Sequence, residues 1–303
     1  MQKRKNKKQR VGIVLWSVFR FILVFGLCYI ILKPFVIKIL TAFMSPSDLL
    51  DATVKNVPKD WSLYYWSHAF KRLNLSSTGA MSLRLALLSA LLQTLTSTMV
   101  GYGLARFQFR GRNLLFAMVI IIMVVPPQVY SISQYLGFRY FGAGNFVINL
   151  IDTEWPVYML AFCGLAMKEC VYIYLLREFF MGMPTDLENA AAVDGASVFG
   201  TFFRIVLPNA VTMMITVFLF AFCWQWTDVS FSSLYFSGKM TVAQIPADSG
   251  LMMLRSATGS ADNVGTAIAQ NAGAVLVILP LVGLAVICQK FLVQSISQSG
   301  LAN

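Results

Sequence analysis

Long apolar runs separated by short polar stretches set the pattern of this chain. Six of them approach the roughly 20 residues that carry an α-helix across a bilayer. The first lies at about 16–38, with Arg20, Lys33 and Lys38 towards its ends, where long basic side chains reach the interface. The next three are Met81–Ala105, Leu114–Leu136 around Pro126-Pro127, and Trp155–Leu176 around Lys168-Glu169. The last two are Ala210 to about Val229, ending in Trp224-Gln225-Trp226-Thr227-Asp228, and Ala267–Leu292 around Pro280. The pattern predicts an all-α membrane protein of six transmembrane helices, with both termini on the same side. Its parts are a basic tail (1–15), a first helix and its exit (16–44), an outer segment (45–78), a five-helix core (79–293) and a C-terminal tail (294–303).

Composition agrees and adds direction. Of 303 residues 57% are hydrophobic and 12% charged, with a single histidine and a net charge of +11. Mean hydropathy is +0.68, which excludes a disordered chain and turns the positive charge from nucleic acid towards membrane topology. Lys3, Arg4, Lys5, Lys7, Lys8, Arg10, Arg106, Arg110, Arg112, Arg177, Arg204 and Lys290 all fall on one side of an alternating six-span chain. Lys/Arg-rich short flanks mark the inside, so both termini are expected in the cytoplasm of a bacterial plasma membrane. The basic start reads as a retained anchor, since no small-x-small cleavage site follows it. Five scattered cysteines read as apolar filler. No metal site and no catalytic group is expected.

The polar loop after the fourth run, Met183–Pro208, carries the most information. Thr185 followed by Glu188 has capping-box spacing, Ala190–Ala192 propagate a helix, and Asp194-Gly195 stops it. A second helix is expected over about 197–206, presenting Phe199, Phe202, Phe203 and Val206, with Pro208 opening the fifth span. A helix pair too short to hide its own apolar face is a docking element. The loop has few basic residues, which argues against simple adsorption on lipid.

That loop, Ala190-Ala191-x-x-Asp194-Gly195-Ala196 with Ile205-x-Leu207-Pro208, resembles the EAA loop of ATP-binding-cassette importer permeases. Aligned on Asp-Gly, the family's glutamate falls at Asn189, and Glu188 stands one residue earlier. Gly101-Tyr-Gly-Leu-Ala-Arg-Phe-Gln-Phe-Arg-Gly-Arg-Asn113, Pro126-Pro127-Gln128, Trp226-Thr227-Asp228 and the final Ser299-Gly300-Leu301 are similar to segments of carbohydrate importer permeases, the smaller six-span maltose-type subunit in particular. The resemblance implies that Glu188, Asn189, Ala190, Ala191, Asp194, Gly195, Ala196, Leu207 and Pro208 form an ATPase-coupling helix and its exit. It further implies a sister permease, two ATPase subunits holding ATP and Mg, and an extracellular solute-binding protein.

The chain has no phosphate-binding Gly-x-x-x-x-Gly-Lys-Ser/Thr loop, so energy must come from a partner or from an ion gradient. Sugars bind through hydrogen bonds and apolar ring faces on aromatic side chains. Trp224, Gln225, Trp226, Asp228, Gln128, Gln134 and Tyr135 offer such groups, although an aromatic interface belt has the same look. Lys168 and Glu169 point about 100° apart on a helix. Structural pairing, substrate contact and proton coupling all stay open for them. The expected function is a sugar or oligosaccharide importer permease working by alternating access. The rivals are an ion-coupled secondary transporter and the same machinery carrying a non-sugar solute.

Overall fold

The computed structural model describes the backbone of residues 2–300 apart from 50, 145, 239 and 256–260, and the side chains of 15–254 and 262–290 with the same internal gaps. The basic side chains of the tail (Lys3 to Arg10) and the terminal Ser299-Gly300-Leu301 side chains lie outside the described residues. The chain is mostly helical. After α1 (Gln2–Thr41) and α2 (Tyr64–Leu73), a π-helical turn leads into α3 (Ala80–Arg106). Then come α4 (Arg112–Val124), α5 (Pro127–Arg139) and a hairpin of β1 (Phe141–Ala143) and β2 (Phe146–Ile148). Next are α6 (Trp155–Phe162), α7 (Glu169–Gly182), α8 (Asp186–Val193) and α9 (Val198–Thr201), then α10 (Leu207–Thr227), α11 (Ser230–Tyr235) and α12 (Gln244–Ala247). A two-residue pairing, β3 (Leu254–Arg255) with β4 (Ala261–Asp262), precedes α13 (Asn263–Gly300), which includes most of the expected C-terminal tail.

Among the described residues, four stretches are long and apolar enough to cross a membrane: Leu15–Thr41, Leu75–Arg106, Val198–Thr227 and Asn263–Lys290. The expected third span is instead a pair, α4 and α5, bent by 103°. The cause is local: a residue before proline is driven out of the α region, and Val125 (φ −67, ψ 124) and Pro126 (φ −62, ψ 134) are both extended. The expected continuous fourth span is also corrected, since α6 and α7 are separated by six residues and neither alone is long enough. Gly164 (φ 77) and Lys168 (φ 64) take left-handed conformations there, which helical backbone does not tolerate. Glu169 closes the break by accepting a hydrogen bond from the Ala166 N–H at 2.9 Å.

Two compact units emerge, residues 1–72 with 249–275 and residues 73–248 with 276–303. In the first, α1 leaves its apolar side chains almost wholly exposed, as a helix facing lipid or another chain does. The segment after it is pinned by a Met44–Trp61 bridge and by a Lys59–Asp51 ion pair of 2.5 Å. His68, half-buried on α2, donates through Nε2 to the Met252 carbonyl at 3.3 Å.

In the second unit α3 is the central helix, and it is patterned inside out. Its buried stripe is mostly small or polar, Ser82, Ala86, Ser89, Ala90, Gln93, Thr94, Ser97, Thr98 and Gly101, with Leu85, Tyr102 and Leu104 the larger apolar members. Leu83, Leu87, Leu88, Leu91 and Leu95 are exposed. Without water, apolar burial gives no advantage between helices, and small residues allow close backbone contact. Two of the buried hydroxyls bond back into the helix, Thr94 Oγ1 to the Ala90 carbonyl (2.7 Å) and Thr98 Oγ1 to the Thr94 carbonyl (2.6 Å), while the Ser97 hydroxyl has no partner among the described residues. At Gly101 the neighbouring helix α7 is so near that an added Cβ would lie 3.0 Å from Leu176 Cβ and 3.1 Å from the Arg177 nitrogen.

Two predictions follow from this packing and this histidine. Gly101→Val should destabilise the detergent-solubilised protein by about 1–3 kcal/mol, measurable as a lowered thermal midpoint, while Gly103→Ala, in open space, should not. Desolvation, reinforced by Arg72 and Lys71 against the Met252 hydrogen bond, holds the His68 pKa below its ordinary 6.5. The folded state therefore binds this proton less readily than the unfolded one. Stability is complete above about pH 6.5 and is lost as pH falls through the lowered value. Replacing His68 by Gln should flatten the fall in thermal midpoint between pH 7 and 5.

Candidate coupling segment and pathway face

The Met183–Pro208 segment is built around one ion pair. Glu188, in the first turn of α8, turns back towards α3, where its Oε1 lies 2.8 Å from Arg106 Nε; the two side chains are 20% and 11% exposed. Its other oxygen accepts from the Tyr102 hydroxyl at 3.3 Å, and Arg106 Nη2 donates to the Met183 carbonyl at 2.6 Å. Tyr102 also packs against Phe107, Phe180 and Phe202, with ring centroids 4.8–5.6 Å apart. The C-terminal ends of α3 and α7, the start of α8 and the approach to α10 thus meet at one aromatic and ionic node. The expected capping box does not form: Thr185 takes helical rather than extended backbone (φ −73, ψ −16) and makes no side-chain cap, and the Glu188 carboxylate is committed to Arg106 and Tyr102.

The expected stop at Asp194-Gly195 is present. Gly195 (φ 77) donates to the Ala192 carbonyl at 3.1 Å and Ala196 to the Ala191 carbonyl at 2.9 Å, the paired bonds of a Schellman turn. The second helix is not a separate element. From Ser197, whose hydroxyl accepts from the Gly200 N–H, the chain stays helical through Val198–Thr227, with a π-turn over Phe202–Val206. Pro208 has no N–H to give to the Arg204 carbonyl, and the wider turn, closed by Leu207 N to the Phe202 carbonyl, accommodates its ring. Phe202 and Val206 are buried, whereas Val193 (88%) and Phe199 (75%) are exposed with Leu187, Val198 and Phe203. Asn189, Ala190, Asp194, Gly195, Ala196 and Pro208 share that exposure, Ala191 is buried and Leu207 half-buried.

The aromatic and amide residues divide into two groups. Trp226 is buried and donates through Nε1 to the Val277 carbonyl at 2.9 Å. Asp228, also buried, caps α11 by accepting from the Ser232 N–H and hydroxyl at 2.7 and 2.8 Å. Gln134 accepts from the Tyr235 hydroxyl at 3.1 Å, and Tyr135 accepts from Arg139 at 2.8 Å. Gln134, Gln225 and Asp228 line a cavity of about 20 Å³ with Tyr130 and Tyr235, room for a water molecule and not for a sugar ring. Gln128 is exposed in the first turn of α5, away from that cavity. Lys168 is exposed with its ammonium 5.2 Å from the centre of the Trp224 ring. Glu169 is fully buried and makes no ion pair with it.

Sequence reasoning missed the two devices that fix the loops around α6. Arg84 binds Glu154, which also accepts from the Tyr158 hydroxyl at 2.6 Å. Asp152 accepts from the backbone N–H groups of Ser237 and Gly238 at 2.6 and 2.8 Å. An arginine alone in an apolar run was the available signal for the first; an aspartate in a loop carried none for the second.

Residues 97–298 match the family described as binding-protein-dependent transport system inner membrane component. The chain is 26% identical to the probable ABC transporter permease protein YurM of Bacillus subtilis (strain 168), over 97% of its own length and 90% of that protein's. It is 30% identical to the arabinooligosaccharides transport system permease protein AraQ of the same organism, over 72% and 71% of the two chains. To the trehalose transport system permease protein SugB of Mycobacterium tuberculosis (strain CDC 1551 / Oshkosh) it is 26% identical, over 73% and 75%. Its fold is similar to that of one chain in the crystal structure of a bacterial ABC transporter involved in the import of the acidic polysaccharide alginate, with a TM-score of 0.70 over 92% of this chain and 97% of that one at 16% identity. With the match running from the second half of α3 through α13, the chain belongs to the family of binding-protein-dependent transport system inner membrane components.

Proposed function

We propose that this chain is one permease subunit of an ATP-driven sugar importer that works with a solute-binding protein. It crosses the membrane six times with both termini cytoplasmic, counting α4–α5 and α6–α7 as one broken span each. It pairs with a sister permease and takes its energy from two cytoplasmic ATPase subunits that hold the ATP and Mg. The chain itself does no bond chemistry. Family membership and relatives named for arabinooligosaccharide and trehalose transport support this reading.

The observation that carries it is the mechanical layout of residues 183–208. The helix turn at Val193–Phe199 offers exposed apolar side chains to a partner, and Glu188 is held inward by Arg106 and Tyr102. A push on α8 therefore reaches α3 and α7 through a short, partly buried link rather than through a flexible loop. Closure of the ATPase pair on ATP would move α8 and reorient the spans. Asn189, at the family's glutamate position, is exposed and supplies a neutral hydrogen-bonding group where a charge is usual. The small cavity beside Gln225 corresponds to a closed pathway, which opens when the spans rearrange.

Two experiments address the two halves of this mechanism. Phe199→Asp combined with Val193→Asp should leave the permease folded and remove the ATPase from the affinity-purified complex. Normal retention of the ATPase by that variant refutes docking at this tip. A double-mutant cycle on Arg106→Ala and Glu188→Ala should give an interaction energy of about 0.5–3 kcal/mol in thermal unfolding. Either single change should lower uptake more than ATPase binding. A stand-alone carrier makes a different forecast, transport by this chain in liposomes without any ATPase.

A further inference from the structure

Ionisable side chains within or ending the apolar runs of the second unit include Arg84 in the second turn of α3, Lys168 and Glu169 at the break before α7, and Asp228 just past α10. Such groups are costly in a bilayer and normally have partners or duties. Arg84 is paired with Glu154. Asp228 is spent on the first turn of α11, and Glu169 Oε2 on the Ala166 N–H. Lys168 is exposed, as Arg84 is, but unlike Arg84 it has no ion pair among the described residues.

Its setting is unusual in four further ways. Lys168 holds φ 64, a left-handed conformation that a long L side chain rarely adopts and that persists where the surroundings impose it. It stands at the N-cap of the 14-residue α7, at the positive end of that helix dipole. The carboxylate nearest in sequence, Glu169, is fully buried and turned into the break. Finally, the ammonium covers part of the Trp224 ring, and Trp224 is still 45% exposed. From Lys168 to the end of α7 is about 21 Å of helix, and with α6–α7 as one broken span of the permease reading above this puts the pair within a hydrocarbon layer of about 30 Å.

A cation and a flat aromatic face side by side are the two groups that a carboxylated sugar ring needs. The ring's C–H face lies on the indole, and its carboxylate meets the ammonium in a place where water is scarce. A neutral sugar would use the indole but leave the charge uncompensated. Resting on the permease reading above, we propose that Lys168 and Trp224 form a subsite for a uronic-acid residue, and that the pathway favours acidic oligosaccharides over neutral ones. The competing occupant is an acidic side chain of the sister permease.

The test uses the whole importer, with its sister permease, ATPases and binding protein, in proteoliposomes. The probes are digalacturonate, dimannuronate and diglucuronate, each beside its carboxyl-reduced neutral counterpart. The wild type should import at least one uronate disaccharide in preference to its neutral counterpart. Lys168→Gln should lower that uptake by about tenfold or more and leave neutral uptake unchanged, and Lys168→Arg should retain it. Trp224→Ala should lower acidic uptake as well, which keeps the subsite testable if Lys168→Gln fails to assemble. A wild type that imports only the neutral sugars, or none of the panel, overturns the proposal. So does an equal loss of acidic and neutral uptake in Lys168→Gln, the mark of a pairing with the sister subunit. Copurification of the ATPase is read on the same samples. Its absence from the wild type counts against the permease reading, and its presence with no acidic preference counts against the subsite alone.

Discussion

The ion pair between Arg106 and Glu188 is the contact on which the working half of this molecule depends. It joins the end of the central helix α3 to the first turn of α8, and both side chains are largely removed from solvent. A pair this far buried has few waters to replace a lost partner, so breaking it leaves a desolvated charge. The Tyr102 hydroxyl and the Met183 carbonyl use further bonding capacity of the two groups, which gives the node direction as well as strength. Above it, Gly101 brings α3 and α7 into backbone contact. Small residues above and an ion pair below make these helices one mechanical body.

The second constraint is the hydrocarbon layer, where every backbone polar group must find a partner within the protein. It accounts for Glu169 supplying an acceptor at the break between α6 and α7, and Thr94 and Thr98 of α3 likewise bond back to their own helix. It also accounts for the π-turn ahead of Pro208, where the helix widens instead of ending. These breaks are where side chains leave regular helical positions, and Lys168 stands at one of them.

The helical class, the positions of the apolar runs, the stop at Gly195 and the family were all legible in the sequence, because each depends on local composition or on a contiguous motif. Three features were not. Glu188 reads as a cap from its spacing to Thr185, yet an arginine 82 positions away takes it; that competition is tertiary and leaves no local trace. The fourth run reads as continuous because only two residues, Gly164 and Lys168, reverse their backbone, and neither is a proline. Trp226 and Asp228 read as pathway groups because a buried indole bound to a carbonyl and an exposed one have the same sequence signature. Their neighbour Trp224 is the exposed one.

If α3 and α8 move as one body, fixing them together must be harmless. In a chain whose five cysteines are replaced, Arg106→Cys with Glu188→Cys can be bridged by a bifunctional thiol reagent of salt-bridge length. ATP-dependent uptake by the assembled importer should then be the same or higher after cross-linking than before it. Uptake abolished by the cross-link and restored by reduction would contradict the account, since it would mean that α8 must separate from α3 during each cycle.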